Sequence, residues 1–229
     1  MWHLPENVTE NPALRNRSQV FRDRADAGKQ LGELLGSWND SEAIVCAIPA
    51  GGVPVAFEMA LQLRLRLDVL VVSKMTLPWN TEAGFGAVAA DGVSLLNNEL
   101  IRAIGLTQAQ IQASTEKTRN KVAQRERRYH QLITRQDLSG QDVILVDDGL
   151  ASGFTLRVAI MSARKQKART VMVAVPTGHN TSVDRMAPEC DHIYCINVRE
   201  GLRFAVADAY ETWTDVSEEE VITILEKQF

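Results

Sequence analysis

Apolar runs and helical patterns alternate along most of the chain. The runs at 43–49 (AIVCAIP), 68–73 (DVLVVS), 143–146 (VILV), 170–176 (TVMVAVP) and 192–197 (HIYCIN) are apolar on both faces, the mark of buried strands. Between them lie helical stretches at 54–67, which opens on Pro54, and at about 154–167. Residues 85–96 read as two short strands around an Asp-Gly turn. Residues 106–132 form a long helical pattern with Thr107 as N-cap and Gln110 three positions on. A last helix opens at Ser217 with acidic residues in its first turn. This alternation predicts an α/β fold, a mainly parallel twisted sheet flanked by helices. Ligands of such sheets bind beyond the carboxyl ends of the strands. That rule selects the loops at 49–53, 73–84 and 147–155.

Composition narrows the picture only slightly. The 229 residues suit one large domain, and a net charge of −4 argues against a dedicated nucleic-acid binder. No apolar run reaches the roughly 18 residues of a membrane span, and the polar N-terminus has no signal-peptide core, so the cytoplasm is the expected location. Cys46, Cys190 and Cys195 lack the spacing of a zinc site and are expected as buried thiols, and the four histidines suggest no metal cluster.

The chemistry concentrates in DDGLASGFT, residues 147–155. Gly149, Ala151, Ser152 and Gly153 carry little bulk, so a ligand can approach the backbone. The helix that follows offers unpaired N–H groups and a positive end, with the Ser152 and Thr155 hydroxyls beside it. This is a phosphate cradle on chemical grounds. Asp147 and Asp148, adjacent to it, can accept hydrogen bonds from ribose hydroxyls. No Walker A loop and no Gly-x-Gly-x-x-Gly pattern is present.

The stretch 143–155 resembles the 5-phosphoribosyl-1-pyrophosphate (PRPP) motif of type I phosphoribosyltransferases. FRDRADAG (21–28), GGVPVA (51–56) and GAVA (86–89) resemble segments of a bacterial and archaeal group of that family. The resemblance covers about residues 21–221. It implies a single domain with a small hood from the N-terminal segment and about 198–229, and a long helical insertion at about 106–132. It implies a Mg²⁺-dependent transferase that moves the 5-phosphoribosyl group of PRPP to a nucleobase-like acceptor and releases pyrophosphate. A PRPP- or nucleotide-sensing protein of the same fold is the alternative. A homodimer is the expected assembly.

Residue by residue, the resemblance places the ribose hydroxyls on Asp147 and Asp148. The 5′-phosphate falls on Gly149, Leu150, Ala151, Ser152, Gly153, Phe154 and Thr155. The pyrophosphate falls on Ala50, Gly51 and Gly52, with Lys74 neutralising charge nearby. Phe204 would stack on the base with Tyr210 beside it, and Glu211 would join Asp147 and Asp148 near the metal.

Three departures stand out. Ala50 replaces the arginine usual in the pyrophosphate loop, a loss of about 3 kcal/mol of electrostatic stabilisation by comparison with other such donors. Phe154 is bulkier than the usual residue and is expected to press on the phosphate loop. Ala151 occupies the place of the acid that contacts the purine in hypoxanthine-type enzymes, so the acceptor is not specified. The basic residues of the long helix, Lys117 to Arg128, read as a solvated, salt-bridged face, with a lid over pyrophosphate or an RNA-contacting strip as alternatives. Arg22 and Arg24 divide between ion pairs and phosphate contacts, and Glu82 lies in a loop that could reach the site.

Overall fold

A computed structural model describes residues 2–228; the side chains of Thr81, Glu82 and Gln228 lie outside the described set, so the expectation for Glu82 is not addressed. The strands are β1 (Val8–Thr9), β2 (Ile44–Ala47), β3 (Arg66–Val69), β4 (Val72–Leu77), β5 (Asn80–Ala89), β6 (Ser94–Leu96), β7 (Asp142–Val146), β8 (Thr170–His179) and β9 (His192–Arg199). The helices are α1 (Arg24–Leu34), α2 (Gly52–Leu63), α3 (Asn98–Ile104), α4 (Gln108–Tyr129), α5 (Phe154–Lys165), α6 (Asn180–Met186) and α7 (Glu218–Leu225). The main sheet runs β1-β9-β8-β7-β2-β3, every pair parallel.

Successive residues of each central strand serve opposite faces. Val45, Ala47, Ile144, Val146, Met172 and Ala174 pack into one core with Leu31 of α1 and Met59 of α2. Ile44, Cys46, Val143, Leu145, Val171 and Val173 pack into the other with Leu156 of α5 and Val183 of α6. Burial on both faces is why these runs lack polar alternation. The closeness of α1 and α2 depends on Gly28, where a Cβ would lie 2.4 Å from the Val55 carbonyl oxygen. All three cysteines are buried and free.

Several boundaries differ from the sequence reading. The 54–67 helix ends at Leu63, because Arg64 takes the left-handed conformation (φ 55°) and Arg66 re-enters the parallel sheet as β3. The 68–73 run is not one strand. Leu70 still donates to the Ala47 carbonyl, but Val72 pairs antiparallel with Ala89, so the chain changes sheets between them. The expected 73–84 loop is largely the β4–β5 hairpin. Together with β6, it makes a separate three-stranded antiparallel sheet. The capping box of Thr107 and Gln110 is formed, and α4 lies against β4 through a 2.9 Å hydrogen bond from Ser114 to the Thr76 carbonyl.

At the other end of the chain, residues 19–22 run alongside 208–212. Phe21 donates to the Ala209 carbonyl, and Glu211 and Thr212 donate back to Phe21 and Arg22. Among the described residues, no helix is long and apolar enough to cross a membrane.

Candidate functional site

The carboxyl ends of β2 and β7, the start of β4 and the N-termini of α2 and α5 surround a cleft of about 420 Å³. Gly51, Lys74, Asp147, Asp148, Gly149, Ala151, Ser152, Gly153 and Thr155 line it, so most of the expected site is brought together. Ile48, Pro49, Val72, Ser73, Leu156 and Val206 complete the wall.

The helix ends explain what this cleft can hold. Helices α1, α3, α4 and α7 each have a side-chain N-cap: Asp23, Asn97, Thr107 and Ser217. Helices α2 and α5, the two that open on the cleft, begin at Gly51 and Gly153 with no side-chain cap. The first N–H groups of α5 remain available to an anionic ligand, while at the start of α2 Gly52 and Val53 already donate to the Ile48 and Ala50 carbonyls, so α2 contributes its positive end. Gly153 also needs its φ of +77°, which a residue with a Cβ rarely adopts.

The acid pair is tightly built. Arg24 donates through Nε to Asp148 at 2.9 Å and through Nη1 to the Thr214 carbonyl at 2.8 Å. Its guanidinium lies 3.8 Å from the centre of the Trp213 ring. Asp147 accepts from the Asp148 backbone N–H at 2.9 Å. Gly51 leaves the room: a Cβ there would sit 2.0 Å from Asp148 Oδ2. The peptide joining Pro49 to Ala50 is cis. Burial, reinforced by the Asp148 charge, pushes the Asp147 carboxyl well above the ordinary carboxylate range. Burial also raises Asp148, with Arg24 opposing it.

These shifts couple stability to pH. An acid raised in the folded state binds protons more tightly there than in the unfolded chain. Stability therefore falls as pH rises through the raised value. Asp147→Asn removes the repulsion and keeps an oxygen for the Asp148 N–H. Thermal unfolding at pH 7.5 is expected to show a higher Tm than the native chain, and the gap is expected to shrink near pH 4. A lower Tm at pH 7.5 would contradict this account of the pair.

Other expected residues are placed elsewhere. Leu150 is buried, and its N–H and carbonyl are engaged with Thr177 and His179, so it anchors the loop and has no donor for phosphate. Phe154 faces a neighbouring cavity with Arg157 and Arg185, so its bulk does not press on the phosphate side of the loop. Gly52 is a spacer: a Cβ there would meet the Val146 carbonyl at 2.4 Å. Ala50 does not line the cleft and packs against the core.

Tyr210 is 3% exposed, contacts the Phe21 and Trp213 rings, and donates its hydroxyl to the Asp148 carbonyl at 2.7 Å. This places it beneath the acid pair, with its ring packed inside, not as a stacking surface. Phe204 packs against His179 and Arg199, outside the cleft wall, while Val206 closes over Gly149. Glu211 is exposed because its neighbour Tyr210 points inward. Among the described residues, no group of three or more His, Cys, Asp or Glu side chains could hold a metal, so Glu211 does not join the aspartates.

Arg24 is the functional residue the sequence placed least well. Its signal was the FRDR segment, but its partner lies 124 positions away. On α4, Arg125 pairs with Glu218, as a salt-bridged face would. Burial and the neighbouring Arg125, Lys117 and Lys74 hold the Lys121 ammonium below its ordinary range, which puts a second cation near Lys74.

Residues 18–207 match the family described as the phosphoribosyl transferase domain. The chain belongs to that family. Two proteins of Mycobacterium tuberculosis, "Putative phosphoribosyl transferase MT0597" and "Putative phosphoribosyl transferase Rv0571c", are each 38% identical to it over 209 residues, 91% of this chain. The chain spans 47% of the length of each, about half.

The crystal structure of TT1426 from Thermus thermophilus is 32% identical, with a TM-score of 0.72 over 90% of this chain and 98% of that one. AQ2163 from Aquifex aeolicus, at 15% identity, 82% and 78% coverage and a TM-score of 0.50, is similar in fold alone. The parallel sheet with flanking helices is thus the type I phosphoribosyltransferase fold, and the cleft lies within the matched residues, at the loop after β7.

Proposed function

We propose that the chain is a Mg²⁺-dependent phosphoribosyltransferase. It would take PRPP in the cleft, transfer the phosphoribosyl group to a nucleobase-like acceptor and release pyrophosphate. The observation that carries this reading is the convergence of the acid pair, the uncapped N-terminus of α5 and Lys74 on one cleft.

In this reading the loop from Ala151 to Thr155 and the start of α5 hold the 5′-phosphate. Asp147 and Asp148 accept hydrogen bonds from the ribose hydroxyls. Gly51 lets the backbone approach the diphosphate, and Lys74 balances its charge as it leaves. The carbon–oxygen bond at C1 breaks, pyrophosphate carries away the electron pair, and a nitrogen of the acceptor forms the new bond to C1. The transition state has oxocarbenium character, so the protein mainly positions the reactants and stabilises the departing charge.

Mg²⁺ suits this donor set. Two adjacent carboxylates, both raised by burial, would be relieved by a cation, and Mg²⁺ prefers one or two carboxylates with substrate oxygens and water. Asp147 and Asp148 would hold it, and it would neutralise diphosphate charge.

The test is pyrophosphate release from Mg²⁺ and PRPP with a panel of nucleobases. Release that requires a base and disappears in Asp147→Asn/Asp148→Asn supports the enzyme. Tight PRPP binding with no turnover for any base favours the second reading, a PRPP-sensing protein, which the alanine at position 50 motivates.

A further inference from the structure

Behind the phosphate loop lies a second cavity, of about 580 Å³. Three separate helices each send an arginine to it: Arg102 from α3, Arg157 from α5 and Arg185 from α6. Glu99 is the acid among its lining residues. Arg157 is held by Glu189 at 2.7 Å, and its Nε donor is buried with no acceptor. Among the described residues, Arg102 and Arg185 have no ion-pair partner, and the carboxylate next to Arg185, on Asp184, is taken by the Trp2 indole.

Arg102 and Arg185 outnumber the one lining acid, Glu99, and with the Nε donor of Arg157 they favour an anion between them. The planar donor forks of arginine match phosphate oxygens in particular. Phe154 adds an aromatic surface to the same wall.

We infer that this cavity is a second anion site, for a ligand carrying several phosphate groups. The site is separate from the PRPP cleft, yet the two share a wall. Ser152 lines both. Ser182, on the cavity side, donates its hydroxyl to the Ala151 carbonyl of the phosphate loop. On the proposed function this loop holds the 5′-phosphate, so an occupant that touches it is expected to change the affinity of the cleft for its own ligand. By linkage, a ligand in the cleft changes affinity for the occupant by the same factor.

Titration calorimetry with inorganic tripolyphosphate and with ATP tests the inference. Two sites are expected on the native chain. Arg102→Ala/Arg185→Ala is expected to lose one, or to weaken it at least about tenfold, while the other is retained. Lys74→Ala, in the cleft, is expected to weaken the other, so failure of the cleft reading and failure of this one are separable. If the double variant fails to fold, Arg185→Gln, at an exposed position, replaces it. Phe154→Ala separates the sources: selective loss of ATP affinity identifies a nucleotide, and no effect on either probe identifies an inorganic polyphosphate. Unchanged number and affinity of sites in the arginine variants overturns the inference. So does a change of mass by light scattering with anion binding unaltered, which would make the cavity a contact between copies.

Discussion

Arg24→Ala is expected to destabilise the chain by about 3 kcal/mol, because it leaves a half-buried carboxylate without its cation. Arg24 holds Asp148, caps the Thr214 carbonyl and stacks on Trp213, so its loss loosens three contacts together. For a chain of this size such a loss lowers Tm by roughly 6–12 °C. The uncompensated charge is the main cause, and this is separable from lost packing. Arg24→Ala/Asp148→Asn is expected to recover part of the stability that Arg24→Ala loses. Chemical denaturation of the four proteins in the cycle measures it. Equal loss in the single and double variants would show that the arginine acts through packing alone.

Gly51→Ala is expected to act on the site and Gly52→Ala on the fold, although the two glycines are adjacent. At position 51 the backbone is helical (φ −59°), so alanine brings no conformational strain there. Its methyl would fall 2.0 Å from Asp148 Oδ2, and that carboxylate is fixed by Arg24. The acid must move, and misplacement of a positioning group by about 1 Å can cost on the order of a hundredfold in rate. At position 52 the methyl would meet the Val146 carbonyl at 2.4 Å and the Asp147 Cα at 2.9 Å, both backbone atoms at the centre of the sheet. Overpacking of that kind costs roughly 1–3 kcal/mol. Steady-state kinetics and thermal unfolding of both variants distinguish the two effects. Comparable turnover in Gly51→Ala and the native chain would contradict the placement of Asp148.

What was legible in the sequence was local. The path from β7 through the small-residue loop to α5 is one continuous strand–turn–helix. Its residue types mark both the loop expected to cradle a phosphate and the acids beside it, and the structure brings them to one cleft. The α4 capping box was legible for the same reason, since both of its members lie within one turn.

Contacts between distant segments were not legible. The sheet formed by β4, β5 and β6 depends on Val72 leaving β3 to pair with Ala89, and no apolar run of six residues announces where it divides. Tyr210 has a side chain that suits base stacking. Only the return of 208–212 alongside 19–22 reveals that its ring is enclosed. Phe154 is the reverse case. Its size is plain from the sequence, but the direction it takes from the first turn of α5, away from the cleft and toward three arginines, is a property of the assembled helices.

On the proposed reading, the acid pair and the phosphate loop form a single PRPP site. Calorimetric titration of Mg²⁺ and PRPP into the native chain, into Asp147→Asn/Asp148→Asn and into Gly51→Ala measures this directly. One PRPP is expected to bind per cleft in the native chain, with affinity at least about tenfold weaker in both variants while each remains folded. Equal affinity in all three proteins would contradict the assignment of this cleft.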